Sequence, residues 1–119
     1  MKHYLAIAAL ATLAACSTPI INDLAATEQA YTGAEITATA YIKLPACGSA
    51  GATAICSNPA KVVQIKNADN AAFTALSTVR AAILANCPSG AITPCSVDMT
   101  PAQNAVAAFT ALTVGLKIN

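Results

Sequence analysis

Three stretches of the chain repeat apolar residues at intervals of three and four, the spacing that places side chains on one side of a helix. These stretches cover residues 19–43, 59–86 and 101–116. The segments between them contain glycines and prolines and are predicted to be loops. Because short loops join antiparallel neighbours, the pattern predicts an all-α fold: a small three-helix bundle with up-down-up topology.

Each predicted helix begins at a capping residue that is followed by proline. The three pairs are Thr18-Pro19, Asn58-Pro59 and Thr100-Pro101. Proline is tolerated at the first helical position because its missing N–H would have no intrahelical acceptor there. The Thr or Asn side chain before it can accept hydrogen bonds from the first turn. Thr100 and Gln103 also match a capping box, so Thr100 is predicted to cap the third helix.

A shorter apolar run, over residues 4–15, precedes the first predicted helix. A permanent membrane-spanning helix needs roughly 20 apolar residues, so this run is too short and indicates a removable signal. Lys2 lies before the run, and Cys16 follows it directly in the sequence Leu-Ala-Ala-Cys. The segment resembles the signal peptide of bacterial lipoproteins, whose lipobox ends in a cysteine that is acylated and becomes the first mature residue.

The resemblance implies that residues 1–15 form a cleaved signal helix and that residues 16–119 form a domain facing the periplasm. Cys16 would carry a diacylglycerol and an N-acyl chain, which attach the protein to the membrane, and no other cofactor is expected. Ser17 implies delivery to the outer membrane, because aspartate at this position favours inner-membrane retention in well-studied Gram-negative bacteria. The expected location is the bacterial cell envelope, at the periplasmic face of the outer membrane.

Residues 16–119 contain no histidine and no tryptophan, and their charges balance. The basic residues are Lys43, Lys61, Lys66, Arg80 and Lys117, and the acidic ones are Asp23, Glu28, Glu35, Asp69 and Asp98. A neutral chain without a basic stripe argues against nucleic acid as a partner. The domain is also rich in alanine and poor in aromatic residues, so its core is expected to be thin and helped by covalent cross-links.

Four cysteines follow Cys16, and the periplasm implied by the resemblance is oxidising, so two disulfides are expected. Four cysteines allow three pairings. The second predicted helix would hold its ends about 42 Å apart, whereas bridged α-carbons lie within about 7 Å. The pairs that fit this geometry are Cys47 with Cys56 and Cys87 with Cys95, one pair in each loop.

The sequence offers no catalytic residues and no metal site. Without histidine, the mature chain lacks the base of a Ser-His or Cys-His pair. The cysteines are not in the Cys-x-x-Cys spacing of redox motifs, nor in the tight pairs of zinc sites. Glu28 and Glu35 are about 10 Å apart along one helix and are interpreted as solvated. We therefore expect a protein that is not an enzyme.

Asp69 differs from the other carboxylates because it falls in the apolar stripe of the second predicted helix, where an unpaired charge would be costly. Folding the first two helices antiparallel places Asp69 within reach of Tyr31, and folding the third back brings Lys117 to the same level. Asp69 is therefore predicted to be satisfied by the Tyr31 hydroxyl or by Lys117. The alternative is that Asp69 is a polar contact for a bound ligand or partner.

The third predicted helix is shorter than the other two, which is expected to leave a half-open groove near the Cys47 to Cys56 loop. Its lining would be Ala38, Tyr41, Ile42, Val62 and Ile65. Exposed apolar surface of this kind often marks a binding site. The occupant would be a small apolar ligand or a second copy of the chain, which would make the protein a homo-oligomer.

The leading hypothesis is a non-enzymatic, membrane-anchored envelope lipoprotein that acts as a structural or protein-interaction module, with an unknown envelope protein as partner. One alternative is a carrier or chaperone for a small apolar ligand in the groove. Another is a phage-derived lysis or superinfection-exclusion lipoprotein, a class with which the chain shares its size and anchor.

Overall fold

The computed structural model describes residues 20–87, 97–116 and 118, and these contain three helices. Helix α1 spans Ile20–Ile42, α2 spans Pro59–Asn86 and α3 spans Thr100–Thr113. The all-α prediction is confirmed, and the predicted bounds of the second helix coincide with those of α2. Helix α3 ends three residues earlier than predicted. None of the three helices combines the length and the hydropathy that a membrane-spanning segment needs.

Two polar contacts between α1 and α2 show in which direction α2 runs relative to α1. The Tyr31 hydroxyl donates a hydrogen bond to Asp69, and Glu28 forms a salt bridge with Arg80. Residue numbers rise along α1 while those of their partners fall along α2. The two helices are therefore antiparallel, with the end of α2 beside the beginning of α1.

Helix α3 packs against both other helices and supplies the centre of the core. Phe109 is fully buried, and its ring centroid lies 5.7 Å from that of Tyr31. Near the start of α3, Pro101 lines the same cleft as Asn86 at the end of α2, so α3 runs back along α2 and parallel to α1. The buried apolar residues are Leu24, Tyr31, Ala34, Ala38, Tyr41, Ile65, Ala72, Leu76, Val79, Ile83, Met99, Ala102, Val106 and Phe109.

The helix starts follow the sequence at α2 but not at α3. The Asn58 side chain accepts from the N–H groups of Ala60 and Lys61, as predicted for a capping residue. Thr100, in contrast, is already inside α3, so its prediction as the capping residue is wrong. Its N–H donates to Asp98 Oδ1 at 2.9 Å instead. The acidic side chain two residues earlier takes the role that was assigned to Thr100.

A disulfide closes the loop between α1 and α2. It joins Cys47 and Cys56, whose α-carbons are 4.9 Å apart, and confirms the predicted pairing. Cys47 donates its N–H to the Ser57 carbonyl oxygen, and Ser57 donates its N–H to that of Pro45, each at 2.9 Å. Ser57 is only 4% exposed, and its Oγ donates to the Leu44 carbonyl oxygen. Residues 47–56 are called the disulfide loop below.

Two glycines allow the disulfide loop to turn tightly. Gly48 and Gly51 have φ angles of 83° and 84°, in the left-handed region that residues with a β-carbon rarely adopt. Just beyond the loop, the Tyr41 hydroxyl accepts from the Asn58 N–H at 2.8 Å. This bond ties the last turn of α1 to the first turn of α2.

Cys87 lies at the other end of α2, where its N–H donates to the Ile83 carbonyl oxygen at 2.8 Å. Cys87 is disulfide-bonded. Its predicted partner, Cys95, lies outside the described residues, so that pairing stays a prediction. Cys16, the predicted lipidation site, also lies outside them.

Candidate functional site

The polar contact predicted at Asp69 joins α1 and α2 near the middle of the bundle. The Tyr31 hydroxyl donates to Asp69 Oδ1 at 2.7 Å. Tyr31 is buried and Asp69 is half-buried. The hydrogen bond satisfies a carboxylate that would otherwise destabilise this side of the bundle. Lys117, the other predicted partner, lies outside the described residues.

The surroundings of Tyr31 keep its hydroxyl protonated. Burial raises the pKa of Tyr31 above the ordinary value of 10.0, and the hydrogen bond to Asp69 and the nearby Glu35 raise it further. A tyrosine that acts as a base or nucleophile needs the opposite shift. The arrangement therefore suits Tyr31 as a hydrogen-bond donor that holds α1 against α2.

A small cavity of about 60 Å³ lies beside this pair, lined by Glu35, Lys66 and Asp69 on its polar side. A water molecule takes up about 30 Å³ in the liquid, so the cavity has room for a few waters at most. Among residues 20–87, 97–116 and 118, no three histidine, cysteine or acidic side chains form a group that could hold a metal ion. The cavity is much smaller than the ligand pockets of proteins, which are typically about 300 to 1,000 Å³.

The groove expected near the disulfide loop is narrower than predicted at the residues that would line it. Ala38, Tyr41 and Ile65 are buried, with 4%, 7% and 1% of their surface exposed. Ile42 and Val62 are half-buried and pack against the core. Three of the five, Ala38, Ile42 and Ile65, line the small cavity described above, so the structure has a narrow cavity here in place of a half-open groove. The binding role of these residues stays a prediction.

Packing beyond the end of α3 explains the difference. Leu116 and Ile118 follow the last turn of α3, and both pack against the core. Phe109 shares the lining of the small cavity with Ile42 and Ile65, so α3 reaches further along the bundle than its length suggested.

A wide, open cleft of about 590 Å³ lies instead between α1 and α3. Small side chains make room for it: Ala26 and Ala30 on α1, and Ala107 and Ala111 on α3. The Thr110 Oγ1 atom, which is buried at this cleft, has no hydrogen-bond partner within the described residues. Sequence reasoning missed the cleft because alanine is as common on exposed helix surfaces as in interfaces. The available signal was that α3 contains no charged residue.

Three features of the described residues stand out: the Tyr31–Asp69 hydrogen bond, the cleft between α1 and α3, and the disulfide loop. No protein family, curated protein or solved structure matches the chain. The function is therefore inferred from these features and from the sequence that precedes α1.

Proposed function

We propose that the protein is a non-enzymatic lipoprotein of the bacterial cell envelope, anchored by acyl chains on Cys16, that acts as a structural or protein-interaction module. The observation that carries the proposal is the sequence Leu-Ala-Ala-Cys at the end of a short apolar run. The disulfide between Cys47 and Cys56 supports it, because disulfides form and persist in oxidising compartments such as the periplasm. Ser17 favours the outer membrane as the destination.

The polar residues of the bundle support a structural role. The Asp69 carboxylate is held by the Tyr31 hydroxyl, and Glu28 is paired with Arg80. Each of these contacts joins α1 to α2. This arrangement favours a protein that acts through contacts between the outer surface of the bundle and other proteins.

The test is the intact mass of the full chain after detergent extraction from bacterial membranes. We expect loss of residues 1–15, the added mass of acyl chains, and four thiols that react with an alkylating agent only after reduction. The Cys16→Ser variant is the matched control, because it leaves the helical domain unchanged but cannot be acylated or processed. An unprocessed, unacylated wild-type chain would contradict the proposal.

A second candidate function, carrier of a small apolar ligand, is favoured by the cleft between α1 and α3. Its volume of about 590 Å³ falls in the range of ligand pockets, about 300 to 1,000 Å³, and its walls are mainly small apolar side chains. The occupant would have to bury the apolar side chains of this surface.

The carrier function is tested by titrating the protein with N-phenyl-1-naphthylamine, an apolar dye whose emission rises on binding. Ala107→Trp fills the cleft and is expected to abolish the rise, whereas Ala81→Trp, at an exposed position on α2, is expected to leave it unchanged. Equal dye binding by both variants, or none by the wild type, would exclude the cleft as the binding site.

A further inference from the structure

The chain between the proposed anchor and the bundle is very short. Helix α1 begins at Ile20, four residues after Cys16. Four residues span at most about 14 Å even when fully extended. Acyl chains on Cys16 would hold that residue at the headgroups of the bilayer, so the beginning of α1 cannot move more than about this distance from the lipid surface.

The packing of the bundle brings the end of α2 and the start of α3 to the same level. The salt bridge between Glu28 and Arg80 lies about two turns from the start of α1, and Asn86 ends α2 a similar distance beyond Arg80. The opposite end of the bundle, with the disulfide loop, is about 34 Å away, because α1 has 23 residues that each rise about 1.5 Å.

Large apolar side chains are exposed at the end where α1 begins. Leu84 on α2 is 79% exposed and Ile21 on α1 is 58% exposed. The stretch of α2 after Arg80, residues 81–86, contains no charge. Transfer of exposed apolar side chains of this size from water into the interface of a nearby bilayer lowers the free energy.

Two carboxylates set how deep this end can lie. Asp23 is in the first turn of α1, and Asp98 precedes α3 and accepts from the Thr100 N–H. Carboxylates stay hydrated, so these residues belong among the lipid headgroups and not in the hydrocarbon. They also disfavour a strongly anionic surface.

We infer that the bundle stands on the membrane, with Ile21 and Leu84 in contact with a zwitterionic phospholipid surface and the disulfide loop directed away from it. The inference rests on the proposed acylation of Cys16. It makes the disulfide loop and the adjoining ends of α1 and α2 the part of the protein that is presented to envelope partners.

Single tryptophan variants test this orientation cleanly, because the chain has no tryptophan of its own. One position is Leu84, within the proposed contact. The other two are Val63 and Ile36, away from it, which are 57% and 68% exposed. All three side chains are exposed, so each substitution leaves the core unchanged. The full, processed chain is reconstituted in phosphatidylcholine vesicles with or without brominated acyl chains, which quench tryptophan at short range.

We expect bromine to reduce the emission of Leu84→Trp by about half or more, because an interfacial side chain lies within about 10 Å of the acyl chains. The emission of Val63→Trp and Ile36→Trp is expected to stay unchanged. Quenching of Ile36→Trp as strong as that of Leu84→Trp would mean that the bundle lies on its side, which overturns the inference. A blue-shifted but unquenched Leu84→Trp would show that protein, such as a second copy, covers this end, and also overturns it.

The intact mass of the same preparation separates the two proposals. If acyl chains are present and Leu84→Trp is not quenched, the orientation is wrong while the lipoprotein proposal stands. If acyl chains are absent, the lipoprotein proposal fails and the orientation fails with it.

Discussion

At the scale of single residues, the hydrogen bond from Tyr31 to Asp69 is the contact with the clearest energetic consequence. Tyr31→Phe removes the donor and leaves the half-buried carboxylate without it, which should lower the free energy of unfolding by about 1 to 2 kcal/mol. Urea denaturation of the wild type, Tyr31→Phe, Asp69→Ala and the double variant measures the coupling between the two side chains. If the effects of the single variants simply add, the bond contributes nothing to stability.

The same tyrosine makes the free energy of unfolding depend on pH in the alkaline range. Burial, the hydrogen bond to Asp69 and the nearby Glu35 raise the pKa of Tyr31 above 10.0, its value in an unfolded chain. The stabilisation is therefore complete below about pH 10 and is lost as the pH rises through the folded-state pKa, with a slope of at most about 1.4 kcal/mol per pH unit. Urea denaturation between pH 8 and 11 should show this decline in the wild type and a shallower one in Tyr31→Phe. Identical slopes would refute the assignment to Tyr31.

The sequence predicted Tyr31 as one of two partners for Asp69, with Lys117 as the other, because two antiparallel helices of fixed rise, joined by a short loop, leave few possible facing pairs. It could not predict the start of α3 in the same way. Asp98 and Thr100 are both capping residue types, and the choice depends on where the backbone first turns into the helix. That turn depends on packing around Met99, which is buried, and not on the two side chains alone.

At the scale of helices, one hexapeptide occurs twice, and its phenylalanine has a different environment in each copy. Ala-Ala-Phe-Thr-Ala-Leu occurs at residues 71–76 in α2 and again at 107–112 in α3. Phe73 is 59% exposed, whereas Phe109 is fully buried against Tyr31. The apolar stripe predicted for the third helix includes Phe109, whereas that of the second helix leaves Phe73 out, so the flanking residues distinguish the two copies although the hexapeptide itself does not.

This difference gives a pair of matched variants. Phe109→Ala should lower the free energy of unfolding by about 3 to 5 kcal/mol, because it leaves a cavity where three helices meet. Phe73→Ala, the same change within the same six residues, should alter it by no more than about 0.5 kcal/mol. Thermal and urea denaturation of both variants would measure the difference, and similar losses would contradict the packing of α3 described above.

The start of α2 provides a second prediction at this scale. Asn58→Ala removes the acceptor for the N–H groups of Ala60 and Lys61 and should cost about 1 kcal/mol of folding free energy. Asn70→Ala, at an exposed position inside the same helix, is the control. It should be neutral or slightly stabilising, because alanine has the higher helix propensity. A neutral Asn58→Ala would show that Pro59 alone is enough to start α2.

The bounds of α2 were predictable because both ends carry strong local signals, Asn58-Pro59 at one end and Cys87-Pro88 at the other. The end of α3 was less predictable from the sequence. Gly115 and the turn that contains it stop the helix before residue 116. The apolar residue there, Leu116, continued the helical pattern in sequence although it packs against the core from outside the helix.

At the scale of the whole molecule, the disulfide between Cys47 and Cys56 adds stability to a small core in which four of the fourteen buried apolar residues are alanine. Replacing both cysteines by serine should lower the free energy of unfolding by about 2 to 3 kcal/mol. The reason is that the unfolded chain gains conformational entropy when a loop of this length is no longer closed by the disulfide. Urea denaturation of this double variant without reducing agent isolates the effect, since Cys87 keeps its own disulfide. An unchanged midpoint would mean that the Ser57 and Tyr41 hydrogen bonds already hold the loop.

The sequence predicted the helix order, the direction of α2 and this disulfide, because each depends on chain connectivity and helix geometry. It did not predict which grooves stay open. The narrow cavity at Ala38 and Ile65, and the open cleft beside Ala26 and Ala107, depend on how the three helices are rotated against one another.

The disulfide loop also makes the protein a natural scaffold for peptide display. Its residues between the two cysteines are mostly exposed, while its ends are fixed by the covalent bond and by buried Ser57. An inserted peptide would enlarge a ring that is already closed, and each doubling of loop length costs only about 0.6 kcal/mol. A guest sequence placed between Gly48 and Gly51 should therefore leave the register of α1 and α2 intact, and on an acylated, upright bundle it would be carried at the tip furthest from the lipid.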